Sequence, residues 1–323
     1  MDLSEDTIVE LPREVGEFIH LRYLNLSRCV RLETLPETIS ELCNLQTLNI
    51  SICLKLTKLP QGIGSLINLR HLQAQYCSHR GLPKGVGRLT SLRTLSGFIV
   101  GDENGSDVCK IEEIRNLKEL RELEITGLSK VEDAGEAEKA ELKNKKQLSD
   151  LTLDFGPLLS QQPVGMKEVA EALQPHPDLK CLQLSGYQVE EWPRWMMEPS
   201  LLQLTHLFLS HYRRCQCLPP LGDLTFLEIL KIDFMMKVKY VGGEFLGSSS
   251  KIAFPRLKHL SFAAMSEWEN WEVKEEKGRK VMPCLLSLEI DRSPKLTAVP
   301  DLLLQRTPPI KIKWDKEEIG GSS

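Results

Sequence analysis

Leucine recurs along this chain at a spacing that suits a stack of coils and no single globular core. Eleven segments, beginning at Leu21, Leu45, Leu69, Leu92, Leu120, Leu148, Leu179, Leu204, Leu227, Leu257 and Leu285, spell a variant of LxxLxL, and successive starts lie 23 to 31 residues apart. A unit of that kind supplies one short strand with leucines on the inside and the x positions outside. It cannot bury its apolar face alone, so neighbouring units must stack. The spacing predicts an α/β solenoid, a horseshoe with a concave parallel sheet and an irregular or short-helical convex side. Function is therefore to be sought on a surface.

The units read as leucine-rich repeats, most plainly LRYLNLSRCVRLETLPETI from Leu21, LQTLNISICLKLTKLPQGI from Leu45 and LRHLQAQYCSHRGLPKGV from Leu69. Cys29, Cys53 and Cys77 each fall eight residues after the starting Leu. An Asn or Cys in that slot points inward and supplies a weak hydrogen-bond ladder between coils. Leu35-Pro36, Leu59-Pro60, Leu82-Pro83, Leu218-Pro219 and Val299-Pro300 mark the far side of each coil, where Pro fixes the backbone. Trp268 and Trp271 fall in the slots of Leu32 and Leu35 and are expected in the core.

A solenoid keeps one continuous core at any length, so one domain is expected over residues 1–314, about eleven full repeats, followed by a disordered polar tail at 315–323. The alignment of MDLSEDTIVELP makes Leu3 the last leucine of a strand entered part-way, a first repeat truncated at Met1 and without a polar cap. A net charge of -4 and a pI near 6.1 argue against nucleic acid or an anionic membrane as partner. Nine cysteines without terminal clustering, several in buried slots, read as reduced thiols of a cytoplasmic protein. Cys215 and Cys217 lack a second Cys/His pair at zinc spacing, so no metal is expected. No eighteen-residue apolar run or signal sequence is present. Asn25-Leu-Ser27 and Asn49-Ile-Ser51 match the glycosylation pattern only as strand spellings.

Two inserted segments read as helices. Asp133 to Glu136 forms a capping box ahead of AEKAELKNKK, with Lys143, Lys145 and Lys146 placed to suit the helix dipole and Ala134, Ala137 and Ala140 on one stripe. The other is MKEVAEALQ at 166–174, stopped by Pro175 and Pro177. Residues 101–110, 248–250 and 275–280 read as loops.

Outward positions of the strands form columns about 4.8 Å apart. The column one residue after each starting Leu reads Arg22, Gln46, Arg70, Arg93, Arg121, a basic stripe suited to carboxylates and equally to a solvated charged face. Later strands present Lys180, Thr205, His206, Phe208, Lys231, Lys258, His259 and Ser261. Phe208 stands out, since an aromatic ring pointing outward buries well only against a partner or beneath a local loop. His206 and His259 lie two coils apart, about 10 Å, too far for one metal.

LPREVGEFIHLRYLNLS, EDAGEAEKAELKNKKQLSDLTLDF, EALQPHPDLKCLQLSGY with WPRWM, LPPLGDLTFLEILKI, VKYVGGEFLGSSS, FPRLKHLSF with SEWENWE, and SPKLTAVPDLLLQRT follow one another in this order. Together they resemble the leucine-rich-repeat region of plant intracellular disease resistance proteins of the coiled-coil, nucleotide-binding, leucine-rich-repeat class. The resemblance covers nearly the whole chain. It implies a module that recognises a pathogen effector or a guarded host protein and that, in a full receptor, holds the nucleotide-binding module inactive. It also implies that the arginine stripe docks an acidic face of that module. GVGRLTS and GIGSLIN lack the lysine and spacing of a phosphate loop, so no nucleotide or other cofactor is expected in this chain.

No catalytic convergence of nucleophile, base and orienting group is legible, so no enzyme is expected. A ubiquitin-ligase subunit would bring an F-box ahead of the repeats, and an extracellular receptor would spell LxGxIP between paired cysteines. A truncated receptor fragment, or a decoy or adaptor without signalling, carries the same repeats as a working recognition module.

Overall fold

The computed structural model describes residues 1–101, 108–131, 133–156, 165–198, 200–247, 251–273, 279–306 and 309–315. The chain forms two compact units, Met1–Asp154 with Ala172–His176, and Phe155–Glu171 with Pro177–Ser323.

In the first unit six parallel strands pair in chain order: β1 (Tyr23–Asn25), β2 (Thr47–Asn49), β3 (His71–Gln73), β4 (Thr94–Ile99), β5 (Glu122–Thr126) and β6 (Asp150–Asp154). Register aligns Leu24, Leu48, Leu72, Leu95, Leu123 and Leu151 in one buried row, so the LxxLxL spacing is realised as a single stacked interior. Ahead of β1, the Leu3 amide donates to the Asn25 carbonyl at 2.8 Å, as the Leu26 amide does to Asn49 at 2.7 Å. Leu3 therefore holds the slot of Leu26.

The strands leave the sheet through a left-handed residue seven positions after the starting Leu: Arg28, Ile52 and Tyr76, with φ of 62°, 62° and 58°. That conformation is costly for a branched residue such as Ile52. The stacking imposes it, because the Arg28 and Ile52 amides continue the ladder onto the Ser51 and Gln75 carbonyls at 2.8 and 2.9 Å. Gly97 marks a bulge in β4, where a Cβ would stand 2.5 Å from the Ala74 carbonyl carbon. On the far side, Pro12, Pro36 and Pro60 precede the short 3₁₀ turns Arg13–Glu17, Glu37–Glu41 and Gln61–Ser65. Proline suits that place because its fixed φ starts a turn and its missing N–H is not needed there.

The cysteine slots behave as a ladder. Cys29, Cys53 and Cys77 donate from Sγ to the carbonyls of Leu3, Leu26 and Ile50 at 3.1, 3.1 and 2.9 Å. Burial pushes the Cys29 thiol up, which keeps the proton the bond requires. Cys77 is only half-buried. Asn25 and Asn49 accept from the Ser27 and Ser51 amides at 3.1 and 3.0 Å, a turn role that occupies both side chains of the glycosylation-like spellings.

The segment after Asp133 departs from the single helix expected there. Asp133 caps, accepting from the Gly135 amide at 2.8 Å, but the helix covers only Ala134–Glu138. The chain turns left-handed at Glu141 (φ 51°) and resumes as the 3₁₀ turn Leu142–Asn144. Ala137 and Ala140 are buried while Ala134 is half-buried. Lys145 does not serve this helix: its Nζ is buried and donates to the carbonyls of Ile114 and Leu117 at 2.7 and 3.0 Å.

The third coil is one residue shorter than its predecessors, thirteen positions from Leu69 to Leu82 against fourteen from Leu45 to Leu59. His79 consequently fills the interior slot of Leu32 and Leu56. It is 3% exposed, donates from Nε2 to the Ala74 carbonyl at 3.1 Å, and leaves Nδ1 buried with no partner among the described residues. Burial lowers its pKa below the ordinary histidine value. The folded state thus favours the neutral ring, and stability present above about pH 6.5 is lost as pH falls through the lowered value. His79→Leu, which trades the unpaired Nδ1 for an unpaired Ala74 carbonyl, is expected to leave Tm near unchanged at pH 7. It should make Tm fall less steeply than wild type between pH 6.5 and 5 in calorimetry, and equal slopes would refute the assignment.

In the second unit β7 (Cys181–Ser185), β8 (His206–Ser210) and β9 (Ile229–Asp233) are followed by β10 (Tyr240–Val241), β11 (Ile252–Ala253), β12 (His259–Ala263), β13 (Asn270–Trp271), β14 (Lys280–Val281), β15 (Ser287–Asp291) and β16 (Lys311–Trp314). The parallel order is β7-β8-β9-β12-β15-β16, and β10 with β13 and β11 with β14 form two-stranded ladders. Leu182, Leu207, Leu230, Leu260, Leu288 and Ile312 share one register row. Trp268 and Trp271 are buried, as their slots predict. So are Trp192 and Trp195 of WPRWM, whose indoles donate to the Cys217 and Ala170 carbonyls, both at 2.9 Å. Cys215 is buried and bonds Val189 O at 3.0 Å.

The helix expected at 166–174 runs from Met166 to Ala172. Of the expected loops, 102–107, 248–250 and 275–278 lie outside the described residues, as does the tail from 316. Three of their ends are ordered parts of the fold: Val108 bridges Pro83, with the Cys109 amide on the Leu82 carbonyl at 2.7 Å. Lys280 opens β14, and the Asp315 amide still reaches the Ile290 carbonyl at 3.0 Å, because strand pairing with the preceding coil continues to that point.

Candidate protein-recognition surface

Alternation in each strand leaves every second side chain outside, and the parallel register stacks those side chains into columns. The arginine column stands one residue ahead of the strands, at their amino-terminal rim. Its backbone forms an unbroken ladder: Gln46 N to Arg22 O at 2.8 Å, Arg70 N to Gln46 O at 2.8 Å, Arg93 N to Arg70 O at 2.7 Å, and Arg121 N to Arg93 O at 2.8 Å. The two x positions of LxxLxL cause this displacement, since only the second belongs to the strand. Arg22, Arg70 and Arg121 are exposed and Arg93 half-buried, and none is ion-paired with a described residue.

The strand columns beside it change character along the unit. Tyr23, Thr47, His71 and Thr94 give way to Glu122 and Asp150, register neighbours on β5 and β6. A hollow of about 300 Å³ lies there, lined among others by Gln73, Thr94, Ser96, Glu122, Glu124 and Asp150. Burial raises the Glu124 pKa, and its carboxylate accepts the Gly97 amide at 3.1 Å. His71 bonds Thr94 Oγ1 at 3.0 Å, and burial lowers its pKa against the pull of Glu122. Glu122 and Glu124 were legible only as alternate letters of RELEIT, and Asp150 only as a letter of SDLTLD.

In the second unit the register brings three of the anticipated residues together. Phe208 on β8 faces Gln183 on β7 and Lys231 on β9. Lys231 Nζ sits 5.7 Å from the Phe208 ring centre, and the His206 ring centre is 6.5 Å away. Phe208 remains half-buried. A cation over a ring is attracted by its quadrupole, which holds the aromatic face upright in water. Ser261 and Glu289 continue the column.

The other anticipated residues lie elsewhere. Lys180, Thr205 and Lys258 occupy the rim, where Thr205 Oγ1 donates to Lys180 O at 2.9 Å and Lys258 pairs with Glu228 at 2.8 Å. Lys258's ammonium holds the Glu228 carboxyl below the usual range. His259 bonds Ser287 Oγ at 2.7 Å and shares the Ile229 column with His206, with Ile229 between them. Among the described residues no group of three His, Cys, Asp or Glu side chains could hold a metal ion, and no helix is long and apolar enough to cross a membrane.

One feature of this face was not anticipated from the letters. The left-handed residues His211 and Phe234 stack at 4.6 Å and 16°, and the Arg292 guanidinium lies 5.7 Å over Phe234. Only Gly127 and Gly186, glycines in the same slot of other coils, hinted at the turn that aligns them.

Residues 5–303 match the family model described as leucine-rich repeat region. The chain is similar to disease resistance protein RGA2 of Solanum bulbocastanum, 32% identical over 222 residues, and to RGA1 of the same plant, 43% identical over 232. These matches cover 65% and 72% of this chain but only 22% and 23% of the relatives, so the chain spans about a fifth of their length. Among solved structures, a leucine-rich-repeat protein of Leptospira interrogans superposes with a TM-score of 0.54 at 21% identity, covering 97% of this chain and 83% of that one. The functional domain of InlJ from Listeria monocytogenes, described as including a cysteine ladder, gives 0.51 at 14% identity, covering 90% and 58%. Both likenesses concern the fold alone.

Proposed function

This chain belongs to the leucine-rich-repeat family, and from that premise we propose that it is the protein-recognition segment of a plant innate-immune receptor acting in the cytoplasm, meeting a pathogen effector or guarded host protein. The observation that carries the reading is the clustering of His206, Phe208 and Lys231 on one strand face, since nothing in the repeat calls for an outward aromatic there. Half-buried rings at the centre of a surface are where binding free energy concentrates. In the full receptor, the arginine column, ion-paired with no described residue, would hold an acidic face of the nucleotide-binding module and keep it inactive.

Two variants test the two roles separately. Phe208→Ala should weaken binding of the cognate effector or host protein, measured calorimetrically, by at least about 1 kcal/mol, and a smaller change removes Phe208 as an anchor. Arg70→Glu with Arg93→Glu should abolish capture of the matching nucleotide-binding module in trans. Unchanged capture would remove the column from that role.

A further inference from the structure

The strand face of the first unit carries two sets of charge that its own chain leaves apart. Arg22, Arg70, Arg93 and Arg121 stand at the rim, ion-paired with no described residue. Glu122 and Asp150 are exposed register neighbours on β5 and β6, and Glu124 follows two residues on, on the same side of β5. Among the described residues these carboxylates meet neutral donors: Glu122 the Thr94 hydroxyl at 3.4 Å, Asp150 the Ser149 hydroxyl at 2.6 Å, and Glu124 the Gly97 amide at 3.1 Å. Each bond occupies one carboxylate oxygen and leaves the other. The basic residues outside the described ones are Lys274, Lys277 and Lys316, all beyond the first unit, so no undescribed cation of this unit neutralises the acids.

The repeat itself sets the two signs apart. The arginines come one residue after the starting Leu, ahead of the strand, and the acids come two and four residues after it. The hollow of about 300 Å³ lined by Glu122, Glu124 and Asp150 has room for a guanidinium, whose planar fork gives a carboxylate two charge-assisted hydrogen bonds. A basic row beside an acidic hollow is a self-complementary pattern. A two-fold axis lying between them, in the plane of the face, sets the arginines of each copy on the carboxylates of the other, and every contact forms twice. A partner of one sign would satisfy only half of this face.

We propose that the strand face of the first unit docks the same face of a second copy of this chain, Arg70 and Arg93 of each copy meeting Glu122 and Asp150 of the other. This docking is independent of the function proposed above, in which an acidic face of another module would compete for the same arginines. Sedimentation velocity of the whole chain from about 1 to about 200 µM at low ionic strength should show monomer and dimer in exchange, the mass rising toward twice 36.7 kDa. Salt at about 1 M, with a Debye length of about 3 Å, should weaken association at least about tenfold. Glu122→Arg with Asp150→Arg, and separately Arg70→Glu with Arg93→Glu, should each stay monomeric, because like charges then face each other. Mixed together, these two variants should form a heterodimer, an all-basic face on an all-acidic one. The neutral pair Glu122→Gln with Asp150→Asn, which adds no repulsion to the folded chain, should weaken self-association at least about tenfold. Capture of the nucleotide-binding module by Glu122→Arg with Asp150→Arg should be unchanged, which separates this contact from the role proposed for the arginine column. A wild-type chain monomeric at about 200 µM, a dimer indifferent to salt, or charge-reversed variants that do not pair when mixed would overturn the second-copy contact.

Discussion

Trp268→Ala is expected to destabilise the second unit by about 3–5 kcal/mol, the cost of emptying a fully buried large aromatic position. The ring is 0% exposed and packs against Phe262 at 4.8 Å and Trp271 at 5.5 Å, with Phe245 joined to the same cluster through Phe262 at 6.1 Å. Its indole donates to the Asn270 carbonyl at 3.0 Å, so truncation also strands a carbonyl. Trp271 offers the control. Its Nε1 is buried without a partner among the described residues, so Trp271→Phe gives up no hydrogen bond and should cost far less. Repeat arrays gain stability mainly from each coil and its neighbours. Loss of hydrogen-exchange protection should accordingly centre on the Leu260 and Leu288 amides, on either side of the pair β12 and β15. Urea unfolding followed by circular dichroism measures the total. A loss below about 1 kcal/mol would show that the ring is peripheral to the core.

The position of Trp268 was readable because it is a slot, and slots were the legible part of this sequence. Counting eleven residues from Leu257 lands on an interior place whatever side chain fills it, and counting three from Leu21 and Leu179 found the buried rows of Leu24 and Leu182. What counting missed depends on neighbours in space. The left-handed residues Arg28, Ile52, Tyr76, His211 and Phe234 have little in common as letters, and the next coil forces their backbone. The arginine column was found by spacing but assigned to the strand face, whereas the extra x position of LxxLxL sets it on the rim. Of the candidate surface, the letters gave Phe208 and its outward direction. They did not give the grouping with His206 and Lys231, which needs the register of β8 against β9.

Lys145→Met is expected to cost about 2–3 kcal/mol at pH 7, because it leaves two buried carbonyls at the end of the turn Ile111–Asn116 without their donor. By composition Lys145 is one of three lysines closing a helix. In the fold it is 3% exposed and reaches back across a coil, while Lys143 stays exposed beside Glu138 at 3.8 Å. Burial pushes its pKa from 10.5 down to about 8. The folded chain therefore releases a proton near pH 8 that the unfolded chain keeps until near 10.5, and between those values the unfolded state binds more protons. Stability contributed by this group must rise with pH across that window. The methionine variant lacks the rise, so the gap between wild type and Lys145→Met should widen from pH 8 to pH 10. Denaturant midpoints measured at both pH values read the sign directly. A gap that stays constant would mean that the ammonium is solvated, and a gap that narrows would mean that the Ile114 and Leu117 carbonyls hold its charged form more strongly than water does; either would refute the burial argument.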